Sequence, residues 1–564
     1  MDKKWKKLNN RDSSAIITLA RDLNISEIIS ELLVQRGIRS FLDAKSFFRP
    51  RIENLIDPFL MKGMHEATDR INKCLKDGEK IMIYGDYDVD GTTSVALLYS
   101  YLIKQNADVS FYIPDRYKEG YGLSIAGIEK AKEEKISLII VIDCGIKAIE
   151  QIEKANSYKI DSIICDHHKP GNSLPKAKAI LNPKQQDCNY PYKDLCGCGI
   201  GFKLIQAIEQ LKEKNLDSIL EYLDLVSIAI CADIVPMTGE NRLLTSLGIN
   251  LINKNPRPGI SKFLKNKKKD VNVSDLIFTL APRINAAGRM KHGKHAVELL
   301  ICNNKNEIST KSRAIELLNT ERKLLDEKIT KEAIDQVETL SELNNFTTVV
   351  YRPDWHKGVI GIVASRLIEQ FYRPTVVLTK SGDVYSGSVR SVRGFDVYEA
   401  LSACSDYMIQ FGGHKYAAGL TLDPSKYIDF KKAFEKEVTY RINPEDRFAS
   451  IVYDIEITLD KLDLSTYRII KQMAPFGPLN RQPLFFIKNC IDNGYTKIVG
   501  AENNHLSIGV KDETETSFFG IGFDMGQHIS KIKMMNKFSI LAHLQINEFR
   551  GKTNLQLLVK EICF

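Results

Sequence analysis

The sequence predicts a multidomain α/β protein: a parallel sheet flanked by helices, a long connecting helix, a second α/β lobe and a small C-terminal β-barrel. Three observations carry this. The chain has 564 residues, more than one hydrophobic core organises at roughly 100–200 residues per domain. From Lys80 onward, short apolar runs bounded by Gly, Asp or Pro alternate with helix-length segments, the pattern of strands buried on both faces. From Ile451 the segments become strand-like and turn-rich to the end.

Composition excludes several classes. Hydrophobic residues make up 43% and charged residues 27%, which is globular and neither disordered, collagenous nor coiled-coil. Lys plus Arg number 79 against 71 Asp plus Glu, giving +8, a dilute excess that permits a polyanionic partner without demanding one. No run approaches the ~18 apolar residues of a membrane span, and the basic start Met1 to Lys7 is followed by Leu8-Asn9-Asn10 instead of an apolar core. Eleven cysteines without a repeating spacing do not form a disulfide framework. A cytoplasmic protein with no membrane contact is expected.

Taken in order, residues 1–70 read as a helical extension, with Ile28, Ile29, Leu32 and Leu33 as its apolar positions. Residues 71–302 form the first α/β domain, with strands at Ile81–Tyr84, Val109–Ile113, Leu138–Ile142, Ile163-Ile164 and Val226–Ile230. Residues 303–345 hold one amphipathic helix, since Ile315, Leu318, Leu325, Ile329, Ala333, Val337 and Leu340 recur at helical spacings. Residues 346–445 give a second lobe, also expected to carry a parallel sheet: strand Thr347–Tyr351, helix Gly361–Phe371, strand Thr375–Leu378 and a Gly-rich stretch to Gly419. Residues 446–564 include strands Phe538–Leu544 and Leu555–Val559 and suit a barrel.

The chemistry lies where the apolar runs of the first domain end. Ile81–Tyr84 runs into Gly85-Asp86-Tyr87-Asp88-Val89-Asp90-Gly91, Leu138–Ile142 into Asp143-Cys144-Gly145, Ile163-Ile164 into Cys165-Asp166-His167-His168, and Val226–Ile230 into Cys231-Ala232-Asp233. Carboxyl ends of parallel strands share one edge, so four strands deliver acids and imidazoles to one crevice. Carboxylates that crowded require cations between them. The carboxylate and imidazole mix suits Mn²⁺ or Mg²⁺, and the number of acids suits two ions, with Asp143 as the bridge. Adjacent His167 and His168 point to opposite sides if extended, one toward metal and one toward substrate phosphate. A single Asp after a strand is ordinarily a turn or cap residue; four together are not. Asp-x-Asp-x-Asp-Gly also opens calcium loops, but Leu97 stands where that loop needs its bidentate Glu.

In these four motifs the chain resembles the DHH phosphoesterases, and within them the RecJ family of bacterial single-stranded-DNA-specific 5′→3′ exonucleases. The resemblance continues through Pro114-Asp115-Arg116-Tyr117-Lys118-Glu119-Gly120-Tyr121-Gly122, Ala281 to Arg289, Trp355 to Arg366, Gly387 to Ser391, Gly412-Gly413-His414-Lys415 and Asn547 to Gly551. It implies a two-lobed DHH and DHHA1 core plus an oligonucleotide-binding (OB) barrel. It assigns metal binding to Asp86, Asp88, Asp90, Asp143, His167 and Asp233 and catalytic roles to Asp143, His167, His168 and His414. It assigns 5′-phosphate or DNA contact to Arg116, Arg289, Ser388, Arg390 and His414. Single-stranded DNA is the implied substrate, in DNA repair and recombination, with a RecQ-type helicase and a single-strand-binding protein as further partners. The rivals are a DHH phosphoesterase of nano-RNA, cyclic dinucleotides or adenosine bisphosphate, and a non-catalytic replication scaffold. The barrel argues against the first and the intact acids against the second.

Other features are weaker. The small residues at Cys196-Gly197-Cys198 match no zinc spacing. Arg481 stands where the family commonly has Pro. The run Lys262, Lys265, Lys267, Lys268 and Lys269 reads first as a solvated loop. Tyr495, Phe518, Phe519 and Phe549 include candidates for base stacking. Trp355-His356-Lys357 reads equally as a cleft-facing loop or a capping turn.

Overall fold

Asp12 opens helix α1 (Ser13–Leu23) by accepting the Ala15 N–H at 3.1 Å, and Ser26 caps α2 (Glu27–Val34) in the same way. Ser40 and Asp43 form a capping box at α3 (Phe41–Phe48). The computed structural model describes residues 3–9, 12–264, 267, 269–339, 342–535, 537–549 and 551–564.

The first sheet is fully parallel: β1 (Ile81–Gly85), β2 (Val109–Tyr112), β3 (Leu138–Ile142), β4 (Asp161–Cys165) and β5 (Ala179–Leu181), in the order β2-β1-β3-β4-β5. Every residue of β1 and β3 is buried, as uniformly apolar strands between helix layers require. Helix α4 (Val89–Lys104) follows β1 directly, and α5 (Gly197–Leu211) and α6 (Leu223–Ala232) complete this lobe's functional elements. Helix α6 corrects the sequence reading, which makes Val226–Ile230 a strand. The segment Leu223 to Cys231 is buried on every side, and a helix without a polar face leaves the same short apolar run as a buried strand.

Helix α7 (Lys305–Thr339) is continuous, with Ile315, Ile329, Ala333 and Val337 buried; Leu340 lies outside the described residues. The second lobe contains β6 (Thr348–Tyr351), α8 (Ile360–Phe371), β7 (Thr375–Ser381), β8 (Val384–Arg390), β9 (Met408–His414) and β10 (Ala417–Leu422). Its sheet runs β9-β10-β8-β7-β6, and only β6 and β7 are parallel. The expectation of a second parallel sheet is thus corrected. Gly382-Asp383 and Lys415-Tyr416 are two-residue connections, too short for the crossover that parallel strands need, and Gly382 has φ 65°.

The last segment folds into β11 (Phe485–Asp492), β12 (Lys497–Val499), β13 (His505–Lys511), β14 (Ser517–Gly522), β15 (Phe538–Phe549) and β16 (Lys552–Cys563). Because β11 pairs with both β15 and β13, the sheet closes into a barrel. Its core includes Phe485, Leu506, Ile540 and Leu557 together with Ile16, Leu19, Ile29, Leu32 and Leu33 of α1 and α2. The N-terminal extension therefore completes the barrel's hydrophobic core.

Two compact units result. Trp5–Tyr112, Tyr121–Ala281 and Val452–Phe564 form one, and Ile113–Gly120 with Pro282–Ile451 form most of the other. The short arm carrying Arg116 thus belongs with the second lobe, although it leaves the first sheet at the end of β2.

Candidate active site

Three strand ends and one helix end supply the acidic group. Asp86, Asp88 and Asp90 follow β1, Asp143 follows β3, Asp166, His167 and His168 follow β4, and Asp233 closes α6. The fourth supplier is a helix, not the expected strand, yet Asp233 reaches the same place. The His167 Nε2 lies 3.3 Å from Asp143 Oδ1, 3.6 Å from Asp233 Oδ2 and 3.9 Å from Asp90 Oδ2. Among the described residues, both ring nitrogens of His167 are buried without a hydrogen-bond partner. Burial pushes this imidazole down to about 4, so it is neutral at pH 7 with a lone pair to give.

The acids around it are strained electrostatically. Burial, then Asp90, Asp88, Asp233 and Asp86, push Asp143 far above the carboxylate range. Burial, then Asp90 and Asp88, push Asp233 up to about 8. Carboxylates that resist ionising beside an unpartnered neutral imidazole fit a divalent cation. Two sets have ligand atoms all within 4.8 Å of one another: Asp143, His167 and His168, and Asp90, His167 and Asp233.

The surroundings hold these groups in place. Asp88 caps α4, accepting the Gly91 N–H at 3.0 Å. Asp90 accepts the amides of Gly197 at 2.6 Å and Cys198 at 2.8 Å, so the N-terminus of α5 grips its carboxylate. A Cβ on Gly197 would lie 2.6 Å from the Asp143 Cβ, which explains why glycine stands between the two cysteines. Both thiols are pushed well up, first by burial and then by Asp90, so Cys196-Gly197-Cys198 is a packing element.

His168 turns away from its neighbour, as alternation requires. Its Nδ1 is 2.7 Å from Asp166 Oδ1 and its Nε2 is 3.2 Å from the Tyr121 hydroxyl, which also donates to the Asp143 carbonyl at 3.2 Å. Burial acts to lower the His168 pKa, but the bond to Asp166 and its charge outweigh it and raise the group. Asp166 and Tyr121 stand in motifs named from the sequence but are given no role there. Asp166 was legible as the acid before two histidines; Tyr121, between Gly120 and Gly122, carried no periodic signal.

A second cluster lies in the other unit and is cationic. Arg116 sits on an arm fixed by Asp115, whose carboxylate accepts the amides of Tyr117 at 2.8 Å and Lys118 at 3.1 Å. Arg390 donates to Ser388 Oγ at 3.2 Å and Val389 O at 2.9 Å, and burial followed by Arg116 pushes its guanidinium down. Arg289 donates to the Gly358 carbonyl at 3.1 Å, and the Tyr117 hydroxyl donates to the Arg289 carbonyl. Helix α8 begins beside them with no side-chain cap. A Cβ on Gly361 would stand 3.0 Å from Ser388 Oγ and 3.2 Å from Arg390 Nη2, so glycine lets this helix end approach both. Amides without a side-chain cap, a hydroxyl and guanidinium groups are donors of the kind that bind anions. His414 ends β9 on the exposed surface of this unit.

The remaining expectations divide. Trp355 is buried and donates to Glu332 at 2.9 Å, while His356 and Lys357 are half-buried. Lys267 pairs with Asp275 and Lys269 lies 3.3 Å from Glu548; Lys265 and Lys268 lie outside the described residues, as do Arg550 and the side chain of Phe549. In the barrel, Phe518 packs against the core, whereas Tyr495 and Phe519 are exposed with ring centroids 6.0 Å apart. The Arg481 carbonyl accepts from Arg36 at 2.6 Å.

Known proteins share this organisation. Residues 80–230 match the DHH family N-terminal domain, 344–439 the DHHA1 domain and 453–561 the RecJ OB domain. The single-stranded-DNA-specific exonuclease RecJ of Bacillus subtilis is 36% identical over 99% of this chain and 70% of its own length. The Escherichia coli protein of that name is 31% identical over 95% of each chain. A crystal structure of Thermus thermophilus RecJ in complex with Mn²⁺ has the same fold, with TM-score 0.86 and 24% identity over 99% of this chain and 79% of that one. An exonuclease RecJ bound to manganese aligns with TM-score 0.61 and 30% identity over 69% of this chain and 97% of that one. This chain belongs to the RecJ family of single-stranded-DNA-specific exonucleases.

Proposed function

We propose that the chain is a metal-dependent 5′→3′ exonuclease of single-stranded DNA that releases 5′-nucleotides. The observation that carries this is the buried His167, without a hydrogen-bond partner and within 4 Å of three carboxylates. In this reading Asp86, Asp88, Asp90, Asp143, His167 and Asp233 would hold two Mn²⁺ or Mg²⁺ ions, and Asp143 is the carboxylate proposed to serve both. Such a pair supplies an activated water and neutralises charge on the leaving oxygen. His168, oriented by Asp166 at its Nδ1, exchanges the Tyr121 hydroxyl at its Nε2 for a hydrogen bond to the phosphate under attack, and His414 contacts substrate phosphate. Arg116, Arg289, Ser388 and Arg390 bind the terminal 5′-phosphate. Water adds to the next phosphorus, the bond to the 3′-oxygen of the first nucleotide breaks, and that oxygen takes a proton. The phosphate stays on the shortened strand, so each cut regenerates the end the arginines read.

The exposed Tyr495 and Phe519 stack bases of the strand beyond, in a way that tolerates any sequence. A single-strand nuclease in repair and recombination needs strands opened and kept open, which supports a RecQ-type helicase and a single-strand-binding protein as partners. Cytoplasmic residence fits cysteines that are all free, and no described helix is long and apolar enough to cross a membrane.

The test is digestion of 5′- and 3′-labelled single- and double-stranded DNA and RNA with Mn²⁺, Mg²⁺ or EDTA. The expected result is early release of 5′ label from single-stranded DNA alone, abolished by EDTA. Release from the 3′ end first, or activity in EDTA, overturns the reading.

A further inference from the structure

One cation beside the proposed anion pocket has no counterpart among the described residues. Lys357 lies in the turn entering α8 and is half-buried. Among the described residues its ammonium has no hydrogen bond or ion pair, and the charged group it feels is Arg116, a like charge. Arg390 feels the same arginine and, among the described residues, donates to a hydroxyl and a carbonyl. The turn is fastened on both sides. Trp355 donates to Glu332 at 2.9 Å, the Thr379 hydroxyl donates to the Trp355 carbonyl at 2.5 Å, and His356 Nδ1 accepts the Gly358 N–H at 3.1 Å. A lysine carried by so fixed a turn, partly desolvated and facing positive charge, is costly unless an anion arrives.

The charge count indicates which anion. A phosphodiester inside a strand carries one negative charge, whereas a terminal phosphomonoester carries about 1.5 to 2 at pH 7. Arg116 and Arg390 already match the monoester. A third cation adds little for a diester and most for the anion of highest charge.

We propose that Lys357 is a specificity-determining residue of this pocket, selecting the doubly charged phosphomonoester of a 5′ end over the singly charged phosphodiesters within a strand. This rests on the reading of Arg116, Ser388 and Arg390 as the terminal-phosphate site. Through Lys357 the pocket distinguishes an end from a middle, which is what makes a phosphodiester hydrolase exonucleolytic.

The experiment compares kcat and KM on single-stranded DNA with a 5′-phosphate or a 5′-hydroxyl for wild type, K357M, K357Q, K357R and R390A. The expected ratio of kcat/KM for phosphate over hydroxyl falls about tenfold in K357M and K357Q. The loss lies in KM for the phosphorylated strand, and K357R restores most of it. An unchanged ratio, or equal losses on both ends, overturns the assignment. If R390A loses the preference and K357M and K357Q keep it, the pocket stands and Lys357 is not part of it. A wild type without preference instead overturns the pocket itself.

Discussion

The acidic edge and the arginine pocket solve the same problem by opposite means. Each crowds like charges, but a carboxylate can escape by taking a proton and an arginine cannot. In the metal-free protein Asp143 and Asp233 are pushed up, Asp233 to about 8, so protons and divalent ions compete for one set of oxygens. Arg390 is pushed down by burial and Arg116, yet stays charged and can be relieved only by an anion. The acidic site is therefore set by pH and metal together, and the cationic site, in the proposed reading, by the substrate's own phosphate.

The harshest test of this contrast is Asp143→Asn. It keeps the shape of the side chain and removes the charge shared by both proposed ions. Mn²⁺-dependent digestion should fall by about 10³-fold or more, on the order of 4 kcal/mol of barrier. In EDTA the variant should melt no lower than wild type, because the amide relieves a carboxyl that burial and the neighbouring carboxylates push toward its neutral form. Activity within tenfold of wild type would remove Asp143 from the bridge.

Metal removal gives the next largest effect, and its sign depends on pH. A carboxyl whose folded pKa is raised stabilises the protein fully below its unfolded value, near 3.8 for Asp233, and loses that contribution as pH rises through about 8. Stripped protein should weaken across that window while loaded protein does not. At Mn²⁺ 100-fold above Kd the loaded form gains about 2.7 kcal/mol. Thermal melts should show the widest gap between Mn²⁺ and EDTA near pH 8 and almost none at pH 5; an equal gap at both would contradict proton competition.

These two clusters were unequally legible. The acids could be read because each follows an apolar run directly, so strand ends and chemistry coincide in sequence. Even where Val226–Ile230 proved helical, Asp233 kept its place, since a buried helix pointing at the same edge delivers its last residue there. The arginine pocket could not be read from spacing. Arg116, Arg289 and Arg390 are separated by more than a hundred residues each, and only the family resemblance joined them. The hairpins of the second lobe were missed because Gly382 alone signals a turn that forces β7 and β8 antiparallel. Trp355-His356-Lys357 read equally as a cleft-facing loop or a capping turn, because three residues before a helix carry no periodic signal to decide between them.

On the cationic side, Arg390→Ala should remove one charge-assisted pair to the terminal phosphate, worth about 1.5–3 kcal/mol. Preference for 5′-phosphorylated DNA should fall roughly tenfold to a hundredfold, read as the kcat/KM ratio of the two ends. Because the acids stand apart from this pocket in sequence and unit, Mn²⁺ affinity measured by calorimetry should stay within twofold of wild type. A parallel drop in metal affinity would mean the two clusters are not independent.

The smallest expected effect separates both charged regions from the barrel, where the proposed contact is base stacking. Phe518 and Phe519 are adjacent on β14, but alternation sends the first toward the core and leaves the second 51% exposed. Phe519→Ala should cost about 1 kcal/mol of DNA affinity, the low end for stacking because one face stays in water. That is roughly a fivefold rise in Kd for long strands, with no change in melting temperature and little change on strands too short to reach the barrel. Phe518→Ala should do the reverse, lowering the melting temperature through a cavity while leaving any folded fraction able to bind. If Phe519→Ala leaves the Kd for long strands unchanged at low salt, base stacking belongs to another part of the barrel.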